Sequence, residues 1–173
     1  MRINRVWAMP NRHTFLIKPI GQLLNREMKG EIWIDPFCGE YSKANFTNDL
    51  NPEIYNAQSH MDALEYLHSF SDNYADGVLF DPPYSFYELR RCYKSVGKGN
   101  YKWGELNNFW SKCKDEIARI IKPNGKSISF GWNSVGIGKT RGFTITRILL
   151  VCHGSVRNDT IVTVELKEDG AMK

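Results

Sequence analysis

Residues 80–85 read Phe-Asp-Pro-Pro-Tyr-Ser and close the apolar run Gly-Val-Leu-Phe. Pro82 has its φ locked and Pro83 keeps the residue before it extended, so the backbone between Asp81 and Tyr84 is rigid. Such a turn presents a carboxylate, a carbonyl and an aromatic ring in fixed relation. Three further acids, Asp35, Asp49 and Asp62, follow short β-like segments, in Asp-Pro-Phe-Cys-Gly (35–39), Asn-Asp-Leu-Asn-Pro (48–52) and after Ala-Gln-Ser-His-Met (57–61). Gly39 would let backbone approach a ligand closely. Asp49 stands where doubly wound folds place the carboxylate that accepts both ribose hydroxyls of a nucleoside cofactor. No G-x-G-x-x-G or G-x-x-x-x-G-K-[ST] is present to cradle a pyrophosphate or triphosphate on backbone amides. A cofactor with a ribose and no phosphate fits, and S-adenosylmethionine is the common one. The alternative for each acid is that it caps the next helix.

These residues need strands to end in register. Glu-Ile-Trp-Ile-Asp (31–35) and Gly-Val-Leu-Phe-Asp (77–81) are apolar without alternation, as strands buried on both faces are. Residues 44–49 read as another strand. Helical spacing places Met61, Leu64, Leu67 and His68 on one stripe, and Phe109, Cys113, Ile117 and Ile120 on another over 105–121, stopped by Pro-Asn-Gly at 123–125. Residues 126–132 resume a strand. The segment 143–166 is two β-rich runs around a Gly-Ser…Asn-Asp turn, predicting an antiparallel hairpin at the sheet edge. Together they predict an α/β fold, a three-layer α/β/α sandwich with a mostly parallel sheet, whose ligands sit at the carboxyl ends of the strands.

The order Asp-Pro-Phe-Cys-Gly, Asn-Asp-Leu-Asn-Pro, Asp-Pro-Pro-Tyr resembles the S-adenosylmethionine-dependent amino-group methyltransferases of DNA, whose signature is D/N/S-P-P-Y/F/W. Phe-Leu-Ile-Lys-Pro-Ile-Gly-Gln-Leu-Leu (15–24) is similar to that family's N-terminal cofactor motif, and 152–165 to the closing hairpin of small phage and prophage adenine methylases. The resemblance covers nearly the whole chain. It implies a Rossmann-like methyltransferase sheet and one catalytic domain, residues 1–173, with no separate target recognition domain. Phe15 and Lys18 would wall the methionine end of the cofactor, Phe37 would also contact the cofactor, Asp35 would bind its amino group and Gly39 would pack beneath it. Asp49 would hold the ribose, Asp62 would accept from the cofactor's adenine amino group, and Leu50 and Ala63 would sandwich that ring. Where the family continues with small residues after Gly39, this chain has Glu40, Tyr41 and Ser42. The predicted catalytic residues are Asp81, Pro82, Pro83 and Tyr84. The amino nitrogen of adenine is a poor nucleophile because its lone pair is delocalised into the ring. Asp81 and the Pro82 carbonyl can each accept one N–H and draw the nitrogen toward a tetrahedral shape. Tyr84 would stack on the base, worth about 1–3 kcal/mol whichever base it is. No metal is needed.

Beyond Tyr84, residues 85–104 carry Ser85 and then Arg90, Arg91, Lys94, Lys98 and Lys102 interleaved with tyrosines and Trp103. Bases mixed with aromatics suit a nucleic-acid strand, the charges on phosphates and the rings on bases. A solvated helix is the alternative. The glycine-rich 131–142 either lines the same cleft or only connects. The predicted substrate is DNA, single-stranded or duplex with the target base flipped out. Cytosine at its N4 amino group, adenine in RNA, and a catalytically silent nucleic-acid-binding subunit are the competing readings. With no recognition domain, target choice falls to a minimal reading mode, a homodimer or a second subunit. A net charge of +4 and a pI near 8.8 add little. Four scattered cysteines signal neither zinc nor disulfides. The early charges exclude a signal peptide and no apolar stretch reaches a membrane span, so a cytoplasmic protein is predicted.

Overall fold

The computed structural model describes residues 1–98, 106, 108–154 and 157–170. Its sheet has seven strands: β1 (Arg2–Trp7), β2 (Trp33–Asp35), β3 (Phe46–Thr47), β4 (Ala75–Phe80), β5 (Ile121–Gly131), β6 (Phe143–Cys152) and β7 (Thr160–Lys167). They are ordered β1-β6-β7-β5-β4-β2-β3, and β7 is antiparallel to β5 and β6 while every other pairing is parallel. Helix α1 (Lys18–Glu27) covers one face; α2 (Ala63–His68), α3 (Phe86–Ser95) and α4 (Phe109–Ile120) cover the other.

Strand alternation splits the core into two layers. Val78 and Phe80 of β4 pack with Leu67, Leu89, Phe109 and Ile117, whereas Leu79 between them packs with Ile20, Leu23 and Leu24 of α1. Both faces of β4 are dry, which is why its sequence shows no polar alternation. Helix α1 buries Ile20, Leu23, Leu24 and Glu27, the i, i+3, i+4, i+7 positions of one stripe.

Three expectations are corrected. The β6–β7 hairpin is not at the edge, because β1 lies outside β6 and pairs with it from Arg2 to Trp7. Charges at Arg2 and Arg5 hide that strand in the sequence. Pro123-Asn124-Gly125 does not separate helix from strand: α4 ends at Ile120, β5 begins at once, and its pairing jumps from Ala75↔Ile121 to Gly77↔Lys126, so the turn residues are a bulge. The strand expected over 44–49 is two residues long, followed by a single parallel bridge between Asn48 and Ser59.

The C-terminal end of α4 is sealed from the sheet. Lys167, only 3% exposed, donates through Nζ to the carbonyls of Ala118 and Ile121 and to Asn73 Oδ1. A lysine there answers the partial negative charge of the helix terminus.

Candidate active site

Parallel β2, β3 and β4 end side by side, so Asp35, Asp49 and Asp81 share the carboxyl edge of the sheet. Asn48, fully buried, ties the loops there together: its amide donates to the carbonyls of Pro36 and Met61 and its Oδ1 accepts from Met61 N. Sequence reasoning passed over it.

Asp81 is partly buried, and burial pushes its carboxyl up to about 6, against the opposing pull of hydroxyl donors from Tyr84 and Thr14. Tyr84 therefore does more than offer a ring. Its backbone N–H donates to Glu88 Oε2 at 2.9 Å, and its ring meets that of Trp132 edge-on at 5.6 Å. The Pro83 carbonyl is held by Trp110 Nε1 at 3.0 Å. Every residue of the Asp-Pro-Pro-Tyr turn is thus fixed by a neighbour or by its own ring. Thr14, Glu88 and Trp110 left no motif in the sequence by which to find them.

Two cavities meet at this turn, and a third, about 600 Å³, touches it only at Tyr84 and runs along Asn11, Ile17, Glu88 and Trp132. The first, about 420 Å³, is lined by Phe37, Asp49, Leu50 and Ala63 together with Asp81 through Tyr84. A recess of about 90 Å³, bounded by Phe15, Phe37, Gly39 and Asp81, adjoins it. Gly39 has φ +51 and open space where a Cβ would stand. The Asp49 carboxylate accepts from Gly39 N at 3.1 Å and Asn51 N at 2.9 Å, which fixes it while leaving lone pairs for a ligand. The second cavity, about 430 Å³, shares Pro82, Pro83 and Tyr84 and is otherwise walled by Ser85, Phe86, Trp110, Lys114, Phe130 and Trp132. Trp132 comes from the glycine-rich segment, which therefore forms a wall.

Three predicted cofactor residues do not line these cavities. Asp35 is fully buried beneath the loop, where its carboxylate accepts from Phe37 N and Ser42 Oγ. Burial first, then repulsion from Asp81 and Asp49, raises its carboxyl to about 7 despite those two bonds. Asp62 caps α2 by accepting from Leu64 N and also accepts from the Tyr93 hydroxyl. Lys18 is exposed at the start of α1. Arg90, Arg91, Lys94 and Lys98 are all exposed along and just beyond α3, and Lys102 lies outside the described residues. Among the described residues no group of His, Cys, Asp and Glu could hold a metal, and no helix is long and apolar enough to cross a membrane.

No family model and no curated protein matches the chain. Solved structures do. A Haloferax volcanii protein solved in complex with the Trm112 methyltransferase activator superposes with TM-score 0.56 at 12% identity, over 93% of this chain and 92% of that one. The 1,6-didemethyltoxoflavin-N1-methyltransferase of Burkholderia thailandensis, with S-adenosylhomocysteine bound, gives 0.54 at 11% over 86% and 76%. TrmN of Thermus thermophilus gives 0.53 at 18%, over 88% of this chain and 49% of that one. The chain has the Rossmann-like methyltransferase fold. In that fold the carboxyl ends of the strands are the ligand edge, and both cavities open there.

Proposed function

We propose that the protein is an S-adenosylmethionine-dependent methyltransferase acting on the N6 amino group of adenine in DNA. The observation that carries this is the position of Pro82, Pro83 and Tyr84 as the shared wall of two cavities, with Asp81 facing the first. One combines apolar surface from Phe37, Leu50 and Ala63 with the carboxylates of Asp49, Asp81 and Glu88, and the other is walled mainly by aromatic rings.

The first suits the cofactor. Asp49 presents acceptors for a ribose, Leu50, Ala63 and Phe37 offer apolar surface for an adenine, and the recess beside Gly39 and Asp81 takes the methionine end. S-Adenosylmethionine, when bound, supplies an electrophilic methyl group. In this reading Asp35 and Asp62 act from behind, Asp35 by shaping the Phe37–Ser42 loop and Asp62 by capping α2 under Ala63.

The second cavity suits the target base. Asp81 and the Pro82 carbonyl accept the two N–H bonds of its amino group and hold the lone pair toward the first cavity. Once alkylated, the amino nitrogen would carry a positive charge. Ionised Asp81 stabilises that charge and can take the proton the nitrogen then sheds. Trp110 and Glu88 keep the turn from yielding. The exposed cations of α3 lie beyond Ser85, where phosphates flanking a base in the second cavity would pass. Recognition by a second subunit is compatible with this arrangement, and one structural neighbour was solved with an activator.

Incubation of the protein with isotopically labelled cofactor and either DNA or RNA, followed by digestion to nucleosides and mass spectrometry, tests the proposal. Labelled N6-methyldeoxyadenosine is the expected product. N4-methyldeoxycytidine or N6-methyladenosine would move the assignment to another base or sugar. No thermal shift with cofactor and no labelled nucleoside would make the chain a silent subunit.

A further inference from the structure

The second cavity holds a cation that the catalytic turn does not use. Lys114 of α4 lines it together with Phe86, Trp110, Trp132 and Asn133. Among the described residues Lys114 makes no hydrogen bond and no ion pair, although it is half-buried. The charged groups that face it are Arg141 and Glu165, and both are engaged elsewhere. Arg141 pairs with Asp115 and donates to the Ile137 carbonyl and to Ser111. Glu165, fully buried, accepts from Ile137 N at 2.6 Å and Gly138 N at 3.0 Å. Burial lowers the ammonium below its ordinary value, with the Arg141 charge acting in the same direction and Glu165 opposing. With no protein acceptor, the ammonium is open to the cavity, where an acceptor on a ligand would take the place of water.

We propose that Lys114 is the residue that orients the target heterocycle, by donating a hydrogen bond to one of its ring nitrogens. The proposal rests on the reading of the second cavity as the target-base pocket. A base between aromatic walls is free to rotate in its own plane, because stacking is indifferent to that rotation. Asp81 and Pro82 fix one edge through the amino group. A donor from α4 fixes a second edge and so sets which face of the amino nitrogen meets the cofactor. It also selects for a ring that carries an acceptor nitrogen as well as an exocyclic amino group.

The test is substrate analogues against a matched variant. Single-stranded adenine-containing oligonucleotides, and the same strands with 1-deaza-, 3-deaza- or 7-deazaadenine at the target, are assayed for methyl transfer with the parent protein and with Lys114→Met, which keeps the length and apolar stem. In the parent, one deaza analogue raises KM about tenfold over adenine, the loss of a single hydrogen bond to a charged donor. In Lys114→Met, KM for adenine rises about as far, that analogue incurs no further loss, and kcat falls less than KM rises. Cofactor binding by calorimetry stays at the parent value, which shows that the variant is folded. A second variant, Lys114→Arg, retains part of the discrimination. A deaza penalty that persists in full in Lys114→Met, or an unchanged KM for adenine, overturns the role of Lys114 and leaves methyl transfer standing. A parent protein that binds cofactor and methylates none of the strands overturns the functional reading and this proposal with it.

Discussion

Asp81 titrates close to physiological pH, and its task requires the ionised form. With its carboxyl near 6, the rate of methyl transfer should fall about tenfold per pH unit below that point and level off above it. Asp81→Asn should abolish transfer at every pH while calorimetry finds cofactor affinity close to the parent's; retained activity would remove the carboxylate from the mechanism. Tyr84 shows where residue-level reading stops. The motif assigns it a ring, whereas the structure adds a hydroxyl bonded to Asp81. Removing that donor leaves the Asp81 anion less supported, so Tyr84→Phe should shift the rate profile to higher pH and regain most activity by pH 8–9. Tyr84→Ala, lacking the ring, should stay impaired throughout. A profile for Tyr84→Phe that superposes on the parent would leave the hydroxyl without a role. Asp35 carries a stability consequence of defined sign. Its folded carboxyl is raised to about 7 against an unfolded value near 4, so the native state binds more protons across that window and stability falls as pH rises through it. Asp81 acts in the same direction. Thermal melts from pH 4 to 8 should show this decline, and Asp35→Asn should flatten it.

At the scale of elements, the sequence disclosed those whose burial is simple and concealed those whose partners are remote. β4 and α4 were legible because each buries an unbroken apolar run or stripe. β1 was not, because its value lies in pairing with β6, some 145 residues away, and its charged side chains read as surface. The strand-end acids of the first cavity were legible for the same reason as β4: Asp81 follows its strand directly and Asp49 comes two residues after the end of β3. The other cavity was not, since Trp110 and Lys114 reach it from the middle of a helix with no motif to mark them. The loop after β5 is held to the sheet by Glu165, and Gly136, with φ +58, would place a Cβ 2.2 Å from Glu165 Oε2. Gly136→Ala should therefore destabilise the fold by about 1–3 kcal/mol and weaken transfer more than cofactor binding, measured by chemical denaturation beside calorimetry. The exposed face of α3 carries a different prediction. If Lys94 on that face and Lys98 just beyond the helix meet phosphates, Lys94→Gln and Lys98→Gln should each lower the slope of log K for DNA against log salt by roughly one unit, leaving cofactor affinity unchanged. Variants that track the parent across a salt series would make α3 a solvated helix.

Across the whole molecule, the last strand in chain order occupies an inner position. β7 lies between β5 and β6, pairing Lys126–Gly131 on one side and Phe143–Val151 on the other. Until residues 160–167 have been synthesised, β6 and β1 have no sheet to join, and the Lys167 ammonium has not reached the open carbonyls of α4. The two halves of the sheet are therefore joined by the final strand, and β1 must then pair with β6 from the far end of the chain, a sequence separation that slows folding. Nascent chains short of β7 expose the bare edges of β5 and β6, and such edges recruit other chains. Premature stops or proteolytic nicks upstream of Thr160 should yield aggregates rather than smaller working enzymes. On the function proposed above, methyl transfer in a cell would mark chains translated at least through β7.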